Sequence, residues 1–224
     1  MHLTKKLTQE TGRDYALRTI KDNIIRLELA PGSMVSEKEL SAEMGLSRTP
    51  VREALIELSK TKIVEIYPQK GSVVSLIDYS LVEEARFIRN ILECAVVELV
   101  CTMANENDLK RLEDFVRLQE FYCETHNVEP LLEADNQFHQ SLFNIAEKPQ
   151  AYSLIDSVSI HFDRVRNMAL TSVTDLKIVK DHQNILREIA NRDAAAARAH
   201  MEKHLSRYKI DEEAIREKYT QYFK

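Results

Sequence analysis

A chain of 224 residues that is 44% hydrophobic, 30% charged and carries a net charge of −5 has material for one large or two modest domains around a buried core. Its first residues, MHLTKKLTQETGRDYAL, lack the apolar core of a signal peptide, and its longest apolar run, CAVVELVC, is short and broken by Glu98, so neither an exported nor a membrane-spanning protein is expected. The expectation is a soluble cytoplasmic protein with no membrane partner, and the three cysteines, Cys94, Cys101 and Cys123, fit a reducing compartment because they form neither a CxxC pair nor an even disulfide set.

The charge is unevenly spread. Residues 1–77 hold 12 Lys and Arg against 10 Asp and Glu, a net of +2, and the remainder holds 19 against 26, a net of −7. A mildly basic head on an acidic body can meet a polyanion through a local patch, with an affinity that depends on salt. Glycine divides the chain at the same place: Gly12, Gly32, Gly45 and Gly71 all precede residue 72.

In chain order, Leu17, Ile20, Ile24, Ile25 and Leu27 predict a first helix over Asp14–Leu29, stopped by Ala30-Pro31-Gly32. Val35 is expected to add a short strand to a later sheet. Ser36 followed by Glu39 reads as a capping box opening a short helix, which Gly45 ends in the left-handed conformation, and Ser47 caps another helix two residues on. This is a helix-turn-helix in outline. In its second helix Val51, Ala54, Leu55 and Leu58 form one buried stripe, so Arg48, Thr49 and Arg52 face outward, and Pro50 sits in the first turn where its missing N–H costs little. Two arginines at a helix N-terminus suit guanine edges and phosphates. The β-branched runs Ile63–Tyr67 and Ser72–Leu76, separated by Pro68-Gln69-Lys70-Gly71, predict a hairpin whose tip offers a cation and a glycine backbone able to approach a phosphate closely. Surface arginines on an ordinary helical hairpin are the plainer reading.

Beyond a linker at Asp78-Tyr79-Ser80 the chain is nearly free of helix breakers, and helices are predicted over 79–103, 106–126, 130–146, 149–170, 174–191 and 193–219. The fold class is therefore mainly α: a winged helix-turn-helix over 1–77, followed over 78–224 by an all-α antiparallel helical bundle. Cys94 and Cys101, seven apart on one face, read as small core residues. Asp135 and His139 share one helix face, His182 opens the periodic run Ile185, Leu186, Ile189, and His204 stands in a later helix. Such donors can converge on a divalent metal inside a bundle, or be buried polar residues with hydrogen-bond partners; periodicity leaves both open. His200 stands four residues before His204 on the same face and reads as a residue behind the ligands or in solvent, and His161, His126 and His2 lack partners at ligand spacing.

SEKELSAEMGLSRTPVREAL with a following two-strand wing ending in Lys70-Gly71 resembles the winged helix-turn-helix of the GntR family of bacterial transcription regulators. The resemblance implies contacts to double-stranded DNA from Lys38, Ser47, Arg48, Thr49, Arg52, Lys70 and Gly71. The chain departs from it at Thr61-Lys62-Ile63, where the family usually has a glycine. Residues 78–215, through ARFIRNILE, DNQFHQSLF, DHQNILREI and DAAAARAHMEKHL, resemble the FCD effector domain of the FadR-like branch, with Lys148-Pro149 standing where an asparagine is common. By position this implies a metal held by Asp135, His139, His182 and His204 (zinc, nickel or manganese) rather than a fatty-acyl effector, with Arg89 and Arg166 facing a small carboxylate effector. The expected whole is a homodimeric regulator on a palindromic operator, more often a repressor, and not an enzyme. Its rivals are a metal-dependent hydrolase using the same Asp and His residues, and a purely structural metal.

Overall fold

The structure, a computed structural model, describes residues 1–172, 177–206 and 212–224. Two compact units emerge, one of residues 1–82, 160–164 and 216–224, the other of residues 83–159 and 165–215.

The first unit is a winged helix-turn-helix. Helix α1 runs Gly12–Ile25, capped by the Thr11 hydroxyl, which accepts from the Asp14 N–H at 3.1 Å. It ends four residues before the expected Leu29: Leu27 turns left-handed at φ 63°, and the Leu29 N–H closes the turn on the Asn23 carbonyl at 3.0 Å. Helices α2 (Glu37–Met44) and α3 (Arg48–Lys60) follow, separated by Gly45 at φ 64°. Ser36 and Ser47 hold the extended backbone of N-caps, but neither hydroxyl caps its helix, so the predicted capping box does not form. Three short strands, β1 (Met34–Val35), β2 (Val64–Tyr67) and β3 (Gly71–Val74), pair antiparallel in the order β1-β3-β2, with Glu65 opposite Val73 and Met34 opposite Val73 on its other side. Tyr15, Ala16, Ile20 and Ile24 of α1 pack on Val51, Ala54, Leu55 and Leu58 of α3 to form the core. Ile160 joins that core, and two neighbours satisfy backbone ends: His161 Nε2–H donates to the Thr61 carbonyl at 2.6 Å and buried Arg164 donates to that of Ser75 at 2.8 Å. Residues 77–79 pair with the chain end through an Ile77–Phe223 bridge and a Tyr79–Phe223 ring stack.

The second unit is built from α4 (Tyr79–Met103) beyond residue 82, α5 (Glu106–Glu124), α6 (Val128–Ile145), α7 (Pro149–Ser172) apart from residues 160–164, α8 (Lys177–Ala190) and α9 (Ala194–Ser206), and α10 (Glu212–Lys218) follows. Most connections are a few residues long, which sets sequential helices antiparallel. Residues 174–176 of the expected fifth body helix, and 207–211 of the expected last one, lie outside the described residues. Cys94, Val97 and Cys101 of α4 are buried with Leu112 and Val116 of α5, Phe138 and Leu142 of α6, Ile185 and Ile189 of α8, and Met201 of α9. Arg192 closes the end of α4 by donating to the carbonyls of Cys101 at 2.8 Å and Ala104 at 2.6 Å, placing a cation where the helix dipole is negative. No helix among the described residues is long and apolar enough to cross a membrane.

Candidate functional site

Two sets of side chains stand out, one on each unit. On the first, burial of the Val51–Leu58 stripe against α1 turns the opposite face of α3 outward, and Ser47, Arg48, Thr49 and Arg52 are all exposed. Lys38 on α2 is exposed, as are Lys70 and Gly71 at the wing tip, where Gly71 adopts φ 107°, a region an L side chain rarely enters. Arg52 is not loose. Its guanidinium forks onto Glu37 of α2, Nε to Oε1 at 2.9 Å and Nη2 to Oε2 at 2.8 Å, and this hydrogen-bonded pair lowers the Glu37 carboxyl below its ordinary range. Glu37 was not singled out in the sequence, because an acid in the first turn of a helix already has a sufficient role beside the dipole.

On the second unit, α6 presents Asp135 and His139 one turn apart, α8 presents His182 and α9 presents His204, and one donor atom from each lies within 4.8 Å of all the others. All three histidines point Nε2 inward: His204 Nε2 stands 3.2 Å from that of His139 and 3.1 Å from that of His182. The Asp135 oxygens lie 3.6 Å from His139 Nε2 and 3.8 Å from His182 Nε2. Phe138 holds the face in place, its ring stacked on His182 with centroids 4.4 Å apart. His139 and His182 are almost completely buried, and Asp135 is 5% exposed.

This donor set fits a divalent cation. At most one proton can sit between any two of the three ring nitrogens, so hydrogen bonding alone leaves lone pairs facing one another. A cation bound at about 2.0 Å in a tetrahedron sets its donors about 3.3 Å apart, and one bound octahedrally at about 2.1 Å sets neighbours about 3.0 Å apart, so the inter-histidine spacings suit either geometry. Burial works to raise the Asp135 carboxyl, but Arg166 and the three histidines outweigh it and hold it far below the carboxylate range. Burial keeps His139 and His182 below the ordinary histidine value, hence neutral and able to donate lone pairs.

Around the cluster lies a second layer of polar side chains. Arg166 donates to Asp135 Oδ2 at 2.7 Å and to Asn136 Oδ1 at 3.1 Å. Arg89, 8% exposed, pairs with Glu93, whose other oxygen lies 2.5 Å from His139 Nδ1. Burial favours protonation of Glu93, yet Arg89 and His139 bring its carboxyl down to about 2. Gln119 Oε1 stands 2.5 Å from His182 Nδ1, and Asp181 Oδ2 stands 3.8 Å from His204 Nδ1. Glu93, Gln119 and Asp181 escaped the sequence reading, though Glu93 falls one turn after Arg89 and Asp181 immediately precedes His182. His200 is outside the cluster; His161 is a buried histidine satisfied by the Thr61 carbonyl, and burial lowers it to about 4.

The gntR family of bacterial regulatory proteins matches residues 15–74 and the FCD domain matches residues 84–207. The HTH-type transcriptional repressor RspR of Escherichia coli is 32% identical over 207 residues, covering 92% of this chain and 91% of its own. An HTH-type transcriptional regulator in an unstable DNA locus of Streptomyces ambofaciens is 32% identical over 205 residues, covering 91% of this chain and 86% of its own. Among solved structures, E. coli McbR/YncC superposes with a TM-score of 0.81 at 18% identity, covering 93% of this chain and 99% of its own, a likeness of fold.

Proposed function

Because the chain belongs to the gntR family of bacterial regulatory proteins and carries the FCD domain, we propose that it is a DNA-binding transcription regulator whose operator binding is set by a small organic acid at a metal site. Residues 1–77 would read the DNA and residues 78–224 would dimerise and bind the effector. The observation that carries the regulatory half of this reading is the convergence of Asp135, His139, His182 and His204 from three helices.

In the reading head, Arg48 and Arg52 project from the first turns of α3 toward a major groove, Thr49 and Ser47 offer hydroxyls, and Lys38, Lys70 and the Gly71 backbone meet phosphates. Arg52 arrives with its guanidinium plane already set by Glu37, so less side-chain freedom is lost when it pairs with a guanine.

In the effector domain, Asp135, His139, His182 and His204 would hold zinc, nickel or manganese. The bound metal supplies a Lewis-acidic anchor for a carboxylate oxygen. Arg166 grips Asp135 and Arg89 grips Glu93, so each guanidinium lies one side chain away from the four donors. We assign both to the acid, Arg166 from its place beside Asp135 and Arg89 from its place beside Glu93. A hydrolase has no support: Asp135 belongs to the ligand set, the Glu93 carboxylate is held between Arg89 and His139, and the relatives are named as regulators.

The protein acts as a homodimer in this reading, because a twofold dimer reads a palindrome. Its contact is the outer face of α4, where Phe87, Ile91, Ala95, Leu99 and Met103 recur every four residues and are all exposed. Repression is favoured over activation, since RspR bears that name. The test is to sequence the DNA fragments retained by the purified protein and titrate the recovered operator with metal-loaded chain, with and without a panel of dicarboxylates and sugar acids. Saturable release of DNA by one acid without its turnover supports the proposal; turnover of the acid would replace it with the enzyme.

A further inference from the structure

The inward aim of the histidines needs an explanation of its own. A neutral imidazole carries its proton on one nitrogen and its lone pair on the other, and a ligand is useful only if the lone pair faces the centre. We propose that Glu93 and Gln119 are positioning residues that keep the proton on Nδ1 of His139 and of His182, leaving both Nε2 lone pairs aimed at the site before any cation arrives. This rests on the metal reading given above.

Three observations support it. First, Gln119 is fixed before it meets His182: it is fully buried, its Nε2 donates to the Ala134 carbonyl at 3.2 Å, and so its Oε1 is the atom turned to His182 Nδ1 at 2.5 Å. An amide oxygen can only accept, which requires the proton on Nδ1. Second, Glu93 is 1% exposed and ion-paired to Arg89, and it presents Oε2 at 2.5 Å from His139 Nδ1. The approach is off the best hydrogen-bonding line, and neither atom has another hydrogen-bond partner among the described residues. Two lone pairs would repel at that separation, so an Nδ1 proton is what makes it tenable. Third, among the described residues His204 lacks this device, because the nearest carboxylate oxygen there, on Asp181, is 3.8 Å from its Nδ1, beyond a hydrogen bond. With the other two Nε2 atoms unprotonated, His204 Nε2–H is the donor between them in the metal-free chain. The cluster thus divides into two pre-set imidazoles and one that must move its proton to Nδ1 to become a ligand. Partners of this kind typically contribute tenfold to a hundredfold in metal affinity.

The experiment uses the full chain, stripped of metal with a chelator and labelled with 15N-histidine, and reads the ring nitrogens by long-range proton-nitrogen correlation. Nδ1–H signatures for His139 and His182 and an Nε2–H signature for His204 are expected. In Gln119→Leu the His182 signature should lose its Nδ1–H character while that of His139 persists. Zinc affinity, from competition with a chromophoric chelator, should fall about tenfold to a hundredfold in Gln119→Leu and at least several-fold in Glu93→Gln, which keeps an oxygen acceptor but not its charge. Gln119→Glu keeps the acceptor and loses the donor to Ala134, so it should recover most of the zinc affinity, whereas a merely structural role would leave both variants equally weak. An Nε2–H signature at His182 in the wild-type chain, or unchanged zinc affinity in Gln119→Leu, overturns the proposal while leaving the metal site standing. A wild-type chain that takes up no zinc, nickel or manganese overturns the metal reading and this inference with it.

Discussion

At the scale of single residues, Arg52 shows how a side chain can be assigned from sequence and its partner missed. The helical stripe of Val51, Ala54, Leu55 and Leu58 leaves Arg48, Thr49 and Arg52 exposed, which spacing alone foretells. The fork of Arg52 onto Glu37 spans two helices, and no periodicity reports a contact across a turn. Arg48→Ala or Arg52→Ala is expected to lose about 1–3 kcal/mol of operator preference, whereas Lys70→Ala should weaken all sequences alike. Glu37→Ala should cost part of the Arg52 effect while leaving nonspecific affinity equal or higher, since it removes a negative charge from the surface. Equal operator titrations in all four variants would contradict the reading-head assignment. His161 gives a pH prediction. Its ordinary value of 6.5 is lowered to about 4 in the fold, so between those pH values the unfolded chain binds more protons. Its contribution is complete above about pH 6.5 and is lost as pH falls toward 4, by up to about 3 kcal/mol. His161→Gln should flatten that part of the stability curve in denaturant titrations at pH 7 and pH 4.5. The Asp135 and Glu93 carboxylates, lowered from their ordinary values, act only in a more acidic window.

At the scale of elements, helix cores were legible and so were both ends of α4, but several other ends were not. Apolar periodicity and the scarcity of breakers located every body helix that the described residues contain, and Val35 joined the wing sheet as expected. The stops depend on left-handed residues, and glycine is the usual sign of one. Here Lys62, His126, Glu147 and Arg192 take that role at φ 59°, 56°, 58° and 62°. Each closes its helix with the same pair of turn hydrogen bonds as Gly45, such as Lys148 N–H to the Phe143 carbonyl at 2.8 Å beside Glu147 N–H to Asn144 at 3.1 Å. Lys62 thus performs the turn expected of a glycine after the recognition helix, and Glu147 resolves the turn before Pro149. A side chain in this conformation costs about 1 kcal/mol, so exposed Glu147→Gly should stabilise the helical unit by about 0.5–1 kcal/mol in reversible unfolding. A loss of stability would mean that the Glu147 side chain contributes more than its backbone costs. The four candidate metal ligands were named by their match to a family; their spacing showed only that Asp135 and His139 share a face. Convergence from three helices depends on packing that a linear pattern does not encode.

At the scale of the whole molecule, the charge asymmetry separates a mildly basic reading head from an acidic body, and operator affinity is expected to fall steeply with salt. The α4 ridge makes the dimer testable. Phe87→Glu places a charge at the N-terminal end of the proposed contact and should yield monomers in light scattering at concentrations where the wild type is dimeric; residues 78–224 alone should dimerise. Dimeric Phe87→Glu would move the interface to another face. An acid can shift operator binding only through different affinities for DNA-competent and incompetent states, so DNA must weaken the acid by the factor by which the acid weakens DNA. The most direct measurement is a titration of the recovered operator against metal-loaded wild type, His182→Ala and His204→Ala, each with and without the acid, alongside elemental analysis of the same samples. The account predicts that both variants lose metal and lose their response to the acid yet bind operator as tightly as the acid-free wild type. Full metal occupancy in both, or an intact response after the metal is lost, would contradict it.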